Sequence, residues 1–414
     1  MTDAITTEDR PLRVAQFVDN YGPGSNGLTV AVQQLEGDLL DAGHQVIVVA
    51  PRAKGHNPHH GRHGRTEIRL PSIRVPRMPT KVANGRRFES TINKLGKLKP
   101  DVIHVHGFGP VGILGVWASL RLKIPLMLTW HTDFDSYADH YSMVLPFLKP
   151  VIHVFQLYSH GELVGRAELK RAAAVHRRDK SRTKAILLGI SEKMLLSADL
   201  VTTPSPKTMN RCKQLAPRAK VMVVPNGVDP LPGGPKPRLP QADQIVLYAG
   251  RIAPEKGIFL LADAFEIVAK QRPGTKLVVV GNYAAYPKIK KRLEKLASKK
   301  IAFLAGEKKR NDLGPYYQAA DVFAFPSLTD TQALVLHEAA LAGLPIVSVD
   351  QELQLVIQHG VNGALTSPDA ESFAADIIKI LDNLGDPVWA DNASRVSKKL
   401  ASQWSVESQS KQML

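Results

Sequence analysis

The feature that most constrains this chain is a rhythm that occurs twice. Short apolar runs of strand type alternate with helix-length stretches, and a Pro/Gly-rich segment separates the two series. In the first series, residues 12–18, 45–50, 101–106 and 125–130 have the apolar content of buried strands. Between them, residues 28–42 and 112–122 carry helical spacing, and the former ends at Gly43, a suitable residue just past a helix. The second series places strands at 244–249, 276–281, 301–305, 321–326 and 345–349. Such alternation implies parallel strands joined by crossover helices. The separator LPGGPKPRLP, residues 231–240, has the composition of an interdomain linker. The expected organisation is therefore α/β: one parallel-sheet domain over 1–229, a linker over 230–243 and a second domain over 244–390. A C-terminal helical segment, 391–414, is expected to return to the first domain. At 414 residues the chain is long enough for two cores.

Composition narrows the class. Apolar residues make up 44% and charged residues 22%, which is a globular balance. The single cysteine, Cys212, excludes an intrachain disulfide framework and a multi-cysteine zinc site. It lies among Lys and Arg, which favour a thiolate, but a bystander thiol is the expectation. The polar N-terminus does not read as a signal peptide. The most apolar stretch, 111–130, is interrupted by Arg121 and Lys123, so no membrane span is expected. The net charge is +16, and it is uneven: 32 Lys and Arg against 19 Asp and Glu up to residue 230, then 22 against 19. The basic residues are densest over 51–100, and again over 166–184, where Arg166, Lys170, Arg171, Arg177 and Arg178 stand against few acids. Two such runs in one half are read as attraction to an anionic surface.

The residues with chemical promise follow strands. AGRIAPEKG, residues 249–257, offers Arg251 and Lys256 in one loop. Arg grips two phosphate oxygens with a planar fork, and Lys adds a point charge. Alone, this pattern also fits a solvated loop. Downstream, SLTDTQALVLHEAALAGLPIVS, residues 327–348, places Asp330 in a turn and Glu338 eight residues later, with a helix expected over 332–342. A helix start attracts an anion through its free N–H groups and dipole. Asp330 either accepts sugar hydroxyls or caps the helix. Glu338 either holds a ribose or is a structural acid. His131 ends a strand and precedes Asp133 and Asp135. It reads as a sugar contact, as a satisfied core histidine or, with those two acids, as part of a metal cluster. His104 and His106 share one strand face and read as mostly structural. The loop NYGPGSNGL lacks GxGxxG spacing, which argues against a dehydrogenase. Cations for a diphosphate and carboxylates for hydroxyls are together what a nucleotide-diphospho-sugar requires, so a sugar-transferring enzyme is expected.

These motifs together resemble a family-4 retaining glycosyltransferase of the GT-B fold, with two Rossmann-like domains facing across a cleft. The resemblance spans about residues 12 to 380 and rests on Asn26-Gly27, DVIHVHG, His131, VVPNGVD, GRIAPEKG and the acid-x7-acid block. Within that family the chain is most similar to bacterial diacylglycerol α-glucosyltransferases, through IPLMLTWHTDFDSYADHY, residues 71–76 and TDTQALVLHEAALAGLP. The resemblance implies that Arg251 and Lys256 bind the donor diphosphate and Glu338 the ribose. It assigns the sugar to Asp330 with Thr331, Gln332, Ala333 and Leu334, and to His131 and Gly27 from the first domain. Asp330 stands where the family has glutamate. The reaction implied is a front-face retaining transfer without a protein nucleophile. The donor would be a UDP-sugar, with GDP-mannose as the alternative. The acceptor would be a membrane lipid, or alternatively a soluble sugar. No cofactor is expected to be required, and a divalent metal at most stimulates. The protein is expected to be cytoplasmic and peripheral on the inner face of the cell membrane, with Arg166, Lys170, Arg171, Arg177 and Arg178 on the anionic surface. Nucleic acid is the competing partner for a basic half, but the aromatic interleaving expected of such a module is missing.

Overall fold

The structure is a computed structural model describing residues 10–22, 27–53, 57–74, 81–131, 182–284 and 286–413. The chain forms two compact units, Met1–Val224 with Ser410–Leu414, and Pro225–Gln409.

The first unit is built on β1 (Arg13–Phe17), β2 (Gln45–Pro51), β3 (Arg65–Leu70), a short antiparallel pair of β4 (Ser72–Arg74) and β5 (Lys81–Ala83), β6 (Val102–Val105), β7 (Leu126–Thr129), β8 (Leu200–Thr203) and β9 (Val221–Val223). The large sheet has the order β3-β2-β1-β6-β7-β8-β9, and every ladder in it is parallel. One face packs Phe17, Val105 and Leu128 against the helices Phe88–Leu98, Pro110–Leu122 and Arg182–Ser197. The other face packs Val14, Val46 and Val48 against the helix Gly27–Asp41, with Met413 beside them.

Strands β3, β4, β5, β8 and β9 have no counterpart in the sequence reading. Strand β3 reads RTEIRL, a charged alternation, and it lies at the sheet edge, where charge blunts unwanted pairing. Those charges are turned to structural use. Arg65, whose side chain is 3% exposed, bonds Glu36 at 2.5 Å and Glu67 at 2.6 Å. Arg69 pairs with Glu67 and donates to the carbonyls of Tyr21 and Pro51. Burial pushes the Glu36 carboxyl up, and Arg65 pulls it back. Arg62 bonds Asp41 at 2.5 Å. Part of the cationic density over 51–100 is thus internal counter-charge. The second basic stretch, with Arg166, Lys170, Arg171, Arg177 and Arg178, lies outside the described residues.

The second unit holds β10 (Gln244–Ala249), β11 (Thr275–Val280), β12 (Ala302–Gly306), β13 (Val322–Phe325), β14 (Ile346–Ser348) and β15 (Gly363–Leu365), in the order β12-β11-β10-β13-β14-β15, all parallel. Phe265, Leu293 and Phe373, from the helices Ile258–Gln271, Pro287–Ser298 and Ala370–Asn383, fill one face. Tyr317, Leu336 and Ala401 fill the other. The helices Pro387–Ser402 and Val406–Met413 account for the tail. Among the described residues no helix is long and apolar enough to cross a membrane.

Gly257 combines a left-handed backbone with a close main-chain approach. Its φ is +66°, and a Cβ there would sit 2.0 Å from the carbonyl oxygen of Pro326. Gly257→Ala is therefore expected to cost about 2–4 kcal/mol, from left-handed strain and backbone collision together. Urea denaturation of the full chain measures this, and a loss under about 0.5 kcal/mol would contradict the packing described.

Candidate active site

In the second sheet the chain order turns outward from a central pair, β10 and β13. In open parallel sheets ligands bind beyond the strand ends at such a point. The loop after β10 carries Arg251 and a 3₁₀ turn, Pro254–Lys256. The loop after β13 carries Asp330. Gly257 lets the two loops approach, and Lys256 Nζ donates to Asp330 Oδ1 at 2.7 Å. Both side chains are largely buried, at 16% and 19% exposure. Thr329 Oγ1 donates to the Glu255 carbonyl at 3.2 Å, which ties the loops a second time. Arg251 pairs with the buried Glu255, yet its side chain remains 52% exposed. Beneath it the buried Tyr248 hydroxyl donates to the Arg251 carbonyl at 2.8 Å. Burial, and then the Asp330 charge, push that phenol well up, so it stays a donor.

The helix after β13 runs Leu334–Leu341, shorter than the expected 332–342. Gln332 explains the late start. Its Oε1 accepts from the backbone N–H and the side-chain amide of Asn226, at 2.8 and 2.7 Å, and its Nε2 donates to the Asn226 carbonyl at 2.9 Å. Nε2 also lies 3.2 Å from His337 Nε2. That clamp holds residue 332 outside the helix. Ala333, the N-cap, then adopts φ 60° and ψ 79°, a left-handed conformation costing a non-glycine residue about 1–2 kcal/mol. Asp330 is therefore not the cap. Ala333 supplies no capping side chain, so the helix start keeps its donor character beside Thr331 and Leu334.

Glu338 lies on this helix with its side chain 2% exposed. Arg310 Nη1 donates to Oε1 at 2.5 Å, and the Tyr317 hydroxyl donates to Oε2 at 2.8 Å. Burial raises the carboxyl above its usual range, while Arg310 and Tyr317 favour its anion. The sequence reading missed both partners. Arg310 sits in the polar run EKKRND, which looks like any solvated loop.

In the first unit, His131 is half-buried at the end of β7, and its Nε2 lies 3.2 Å from His106 Nδ1. His104 Nε2 lies 2.6 Å from Thr129 Oγ1. Desolvation lowers His131 to about 4 and His104 to about 3, so both rings are neutral at pH 7. His106 is thus part of a buried imidazole stack under His131. Gly27 opens the helix Gly27–Asp41. A further residue went unread: Asp19, after β1, accepts from the N–H groups of Gly109, Val111 and Gly112 at 3.0, 2.8 and 3.2 Å. It anchors the start of the helix Pro110–Leu122. Desolvation raises it to about 6 against those three donors. Asp133 and Asp135 lie outside the described residues. Among the described residues no three His, Cys, Asp or Glu side chains gather as a metal site.

The sequence profile described as "Glycosyltransferase Family 4" matches residues 25–230, and that described as "Glycosyl transferases group 1" matches 243–383. The chain belongs to glycosyltransferase family 4. Its curated relatives include the α-monoglucosyldiacylglycerol synthase of Acholeplasma laidlawii, 25% identical over 87% of this chain and 86% of that protein. They also include the GDP-mannose-dependent α-mannosyltransferase of Corynebacterium glutamicum, 24% identical over 95% and 84%. Among solved structures, the sucrose-phosphate synthase of Thermosynechococcus elongatus matches with a TM-score of 0.69 at 21% identity, covering 97% of each chain. HepE of Anabaena, in complex with UDP-glucose, also has a TM-score of 0.69, at 18% identity over 97% and 98%. The fold of this glycosyltransferase is GT-B.

One residue of the glycosyltransferase behaves oppositely to its sequence neighbourhood. Cys212 is fully buried, and burial pushes its thiol up to about 11, with Lys213 only partly opposing. Native protein is expected to react with a thiol-specific disulfide reagent at least about 100-fold more slowly than denatured protein. Equal rates would show a reactive surface thiol instead.

Proposed function

We propose that the protein is a retaining, nucleotide-sugar-dependent hexosyltransferase acting on a lipid acceptor, with UDP-glucose as donor and 1,2-diacylglycerol as the leading acceptor class. The observation that carries the reading is the arrangement at the ends of β10 and β13. Two cations stand on one loop, Asp330 touches one of them, and an uncapped helix start leads to a buried carboxylate. A diphosphate leaving group gathers negative charge as the glycosidic bond breaks. Lys256 and Arg251 neutralise it, and fixed donors do so without reorganisation. Asp330, held by Lys256, takes sugar hydroxyls, and Glu338 takes the ribose. Thr331 to Leu334 present the helix start to the sugar and phosphates. His131, being neutral, serves as a hydrogen-bonding partner rather than a cation, and Gly27 is a second contact of the first unit with the sugar. In the retaining course proposed, the acceptor attacks on the face the diphosphate leaves and passes its proton to a leaving-group oxygen. Catalysis is then positioning plus charge stabilisation.

The lipid acceptor is supported by the names of the A. laidlawii and Streptococcus pneumoniae relatives, both α-monoglucosyldiacylglycerol synthases. The net charge of +16 supports peripheral contact with an anionic membrane surface on the cytoplasmic side. A GDP-mannose-dependent reading is favoured by a separate observation, the C. glutamicum relative that matches 95% of the chain.

A panel of UDP- and GDP-sugars, read by thermal shift and by turnover on diacylglycerol in anionic vesicles, tests the proposal. A UDP-hexose is expected to raise the melting point and to be turned over, with rates falling as salt rises. Lys256→Ala is expected to lower kcat/KM about 10²–10³-fold. Turnover confined to a soluble sugar acceptor would overturn the lipid assignment. Stabilisation by GDP-mannose alone would replace the donor.

A further inference from the structure

We propose that Arg310 is a positioning residue of the donor site, holding Glu338 as an aimed carboxylate anion that accepts two vicinal ribose hydroxyls. The inference rests on the reading of Glu338 as the ribose ligand and extends it to a residue that contacts no substrate. A carboxylate with 2% of its side chain exposed has lost most of its hydration. Without a partner such a group takes up a proton, and it then presents a donor where the sugar needs an acceptor. Arg310 supplies the compensating charge at 2.5 Å on one oxygen, and Tyr317 a neutral donor at 2.8 Å on the other. Each carboxylate oxygen accepts about two hydrogen bonds. One on each is therefore left, a pair that matches a cis-diol.

The topology says why an arginine has to travel to do this. Arg310 lies in the 3₁₀ turn Arg310–Asp312 after β12, while Glu338 lies on the helix after β13, and β11 and β10 separate those strands in the sheet. The long guanidinium stem spans the distance across the strand ends. Its own side chain stays 34% exposed, so it brings charge to Glu338 while keeping part of its hydration. Tyr317 is fully buried behind Glu338, and burial together with the Glu338 charge holds its phenol protonated.

The experiment compares the full-length protein with Arg310→Met, Arg310→Lys and Tyr317→Phe. Donor KM and kcat are measured across about pH 6 to 9 with ribonucleotide donors and their 2′-deoxy counterparts. Arg310→Met is expected to raise donor KM about tenfold or more near neutrality while kcat changes less than about threefold. The penalty should shrink as pH rises, because a larger fraction of Glu338 is then ionised. The preference for ribo over deoxyribo donor should fall toward unity, and Arg310→Lys should restore most of it. A pH-independent loss of kcat and KM together, with the ribose preference intact, would make Arg310 a structural tie and overturn the proposal. Equal use of both donors by the unaltered protein removes the reading of Glu338 itself, and this inference with it. Should Arg310→Met fail to fold by circular dichroism, Arg310→Gln, which removes the charge but keeps a polar side chain, carries the same comparison: an unchanged ribose preference and pH profile would overturn the proposal, and a weakened preference with a shifted profile would support it.

Discussion

The candidate site depends on a backbone contact rather than on a side chain. The turn at Gly257 brings the loop after β10 against the carbonyl of Pro326, at a distance no Cβ tolerates. That approach makes the 2.7 Å Lys256–Asp330 pair possible. It also lets Thr329 reach the Glu255 carbonyl, so the two loops are tied by main chain, hydroxyl and charge in succession. Parallel strands alone would only aim both loops the same way. The left-handed turn converts that shared direction into contact.

Charge burial is handled by the same device in both units. Glu36 is enclosed with Arg65, and Glu338 with Arg310. A tyrosine hydroxyl completes each carboxylate, Tyr21 in the first unit and Tyr317 in the second. Removing one partner of a buried pair leaves an uncompensated charge, which costs far more than the intact pair gains. The two triads differ in their cation. Arg65 is enclosed at 3% exposure and bonds a second acid, Glu67, whereas Arg310 is one-third exposed and serves Glu338 alone among the described ion pairs. A closed network suits a fold. A half-open one, on a helix that starts at the strand ends, suits a site that has to accept another group.

Much of this was legible in the residues. The strands at 45–51, 244–249 and 275–280 contain short continuous apolar runs, bounded by polar residues and rich in Val and Ile, which fits central strands covered on both faces. Arg251, Lys256, Asp330 and Glu338 stood out because charged residues directly after buried strands need a reason. What escaped has a physical cause in each case. Strand β3 is an edge whose charges mimic a loop. Arg310 and Tyr317 meet Glu338 only through tertiary folding, across 28 and 21 residues of chain. The helix start moved from 332 to 334 because the Gln332 side chain bonds Asn226, 106 residues earlier, a competition that local propensity does not see. Cys212 had cationic neighbours in sequence, but its thiol faces the core, and desolvation decided its character.

The division of labour at the strand ends also bears on specificity. On the proposed reading, Lys256 and Arg251 hold the diphosphate and Glu338 the ribose, parts shared by every ribonucleotide sugar. Residues that recognise shared parts set affinity for the class without selecting a member, which is consistent with relatives named for different sugars. Selection of the sugar then falls to groups that meet its hydroxyls, and here Asp330 is unusual. It is one methylene shorter than glutamate, and one of its oxygens is held by Lys256. A short carboxylate fixed by a cation has little freedom to follow a displaced hydroxyl. An epimer that moves one hydroxyl by more than a hydrogen-bond tolerance loses that contact and leaves a largely enclosed acceptor less well satisfied. On the same proposed reading, the anchoring of Asp330 by Lys256 couples recognition of the sugar to neutralisation of its leaving group.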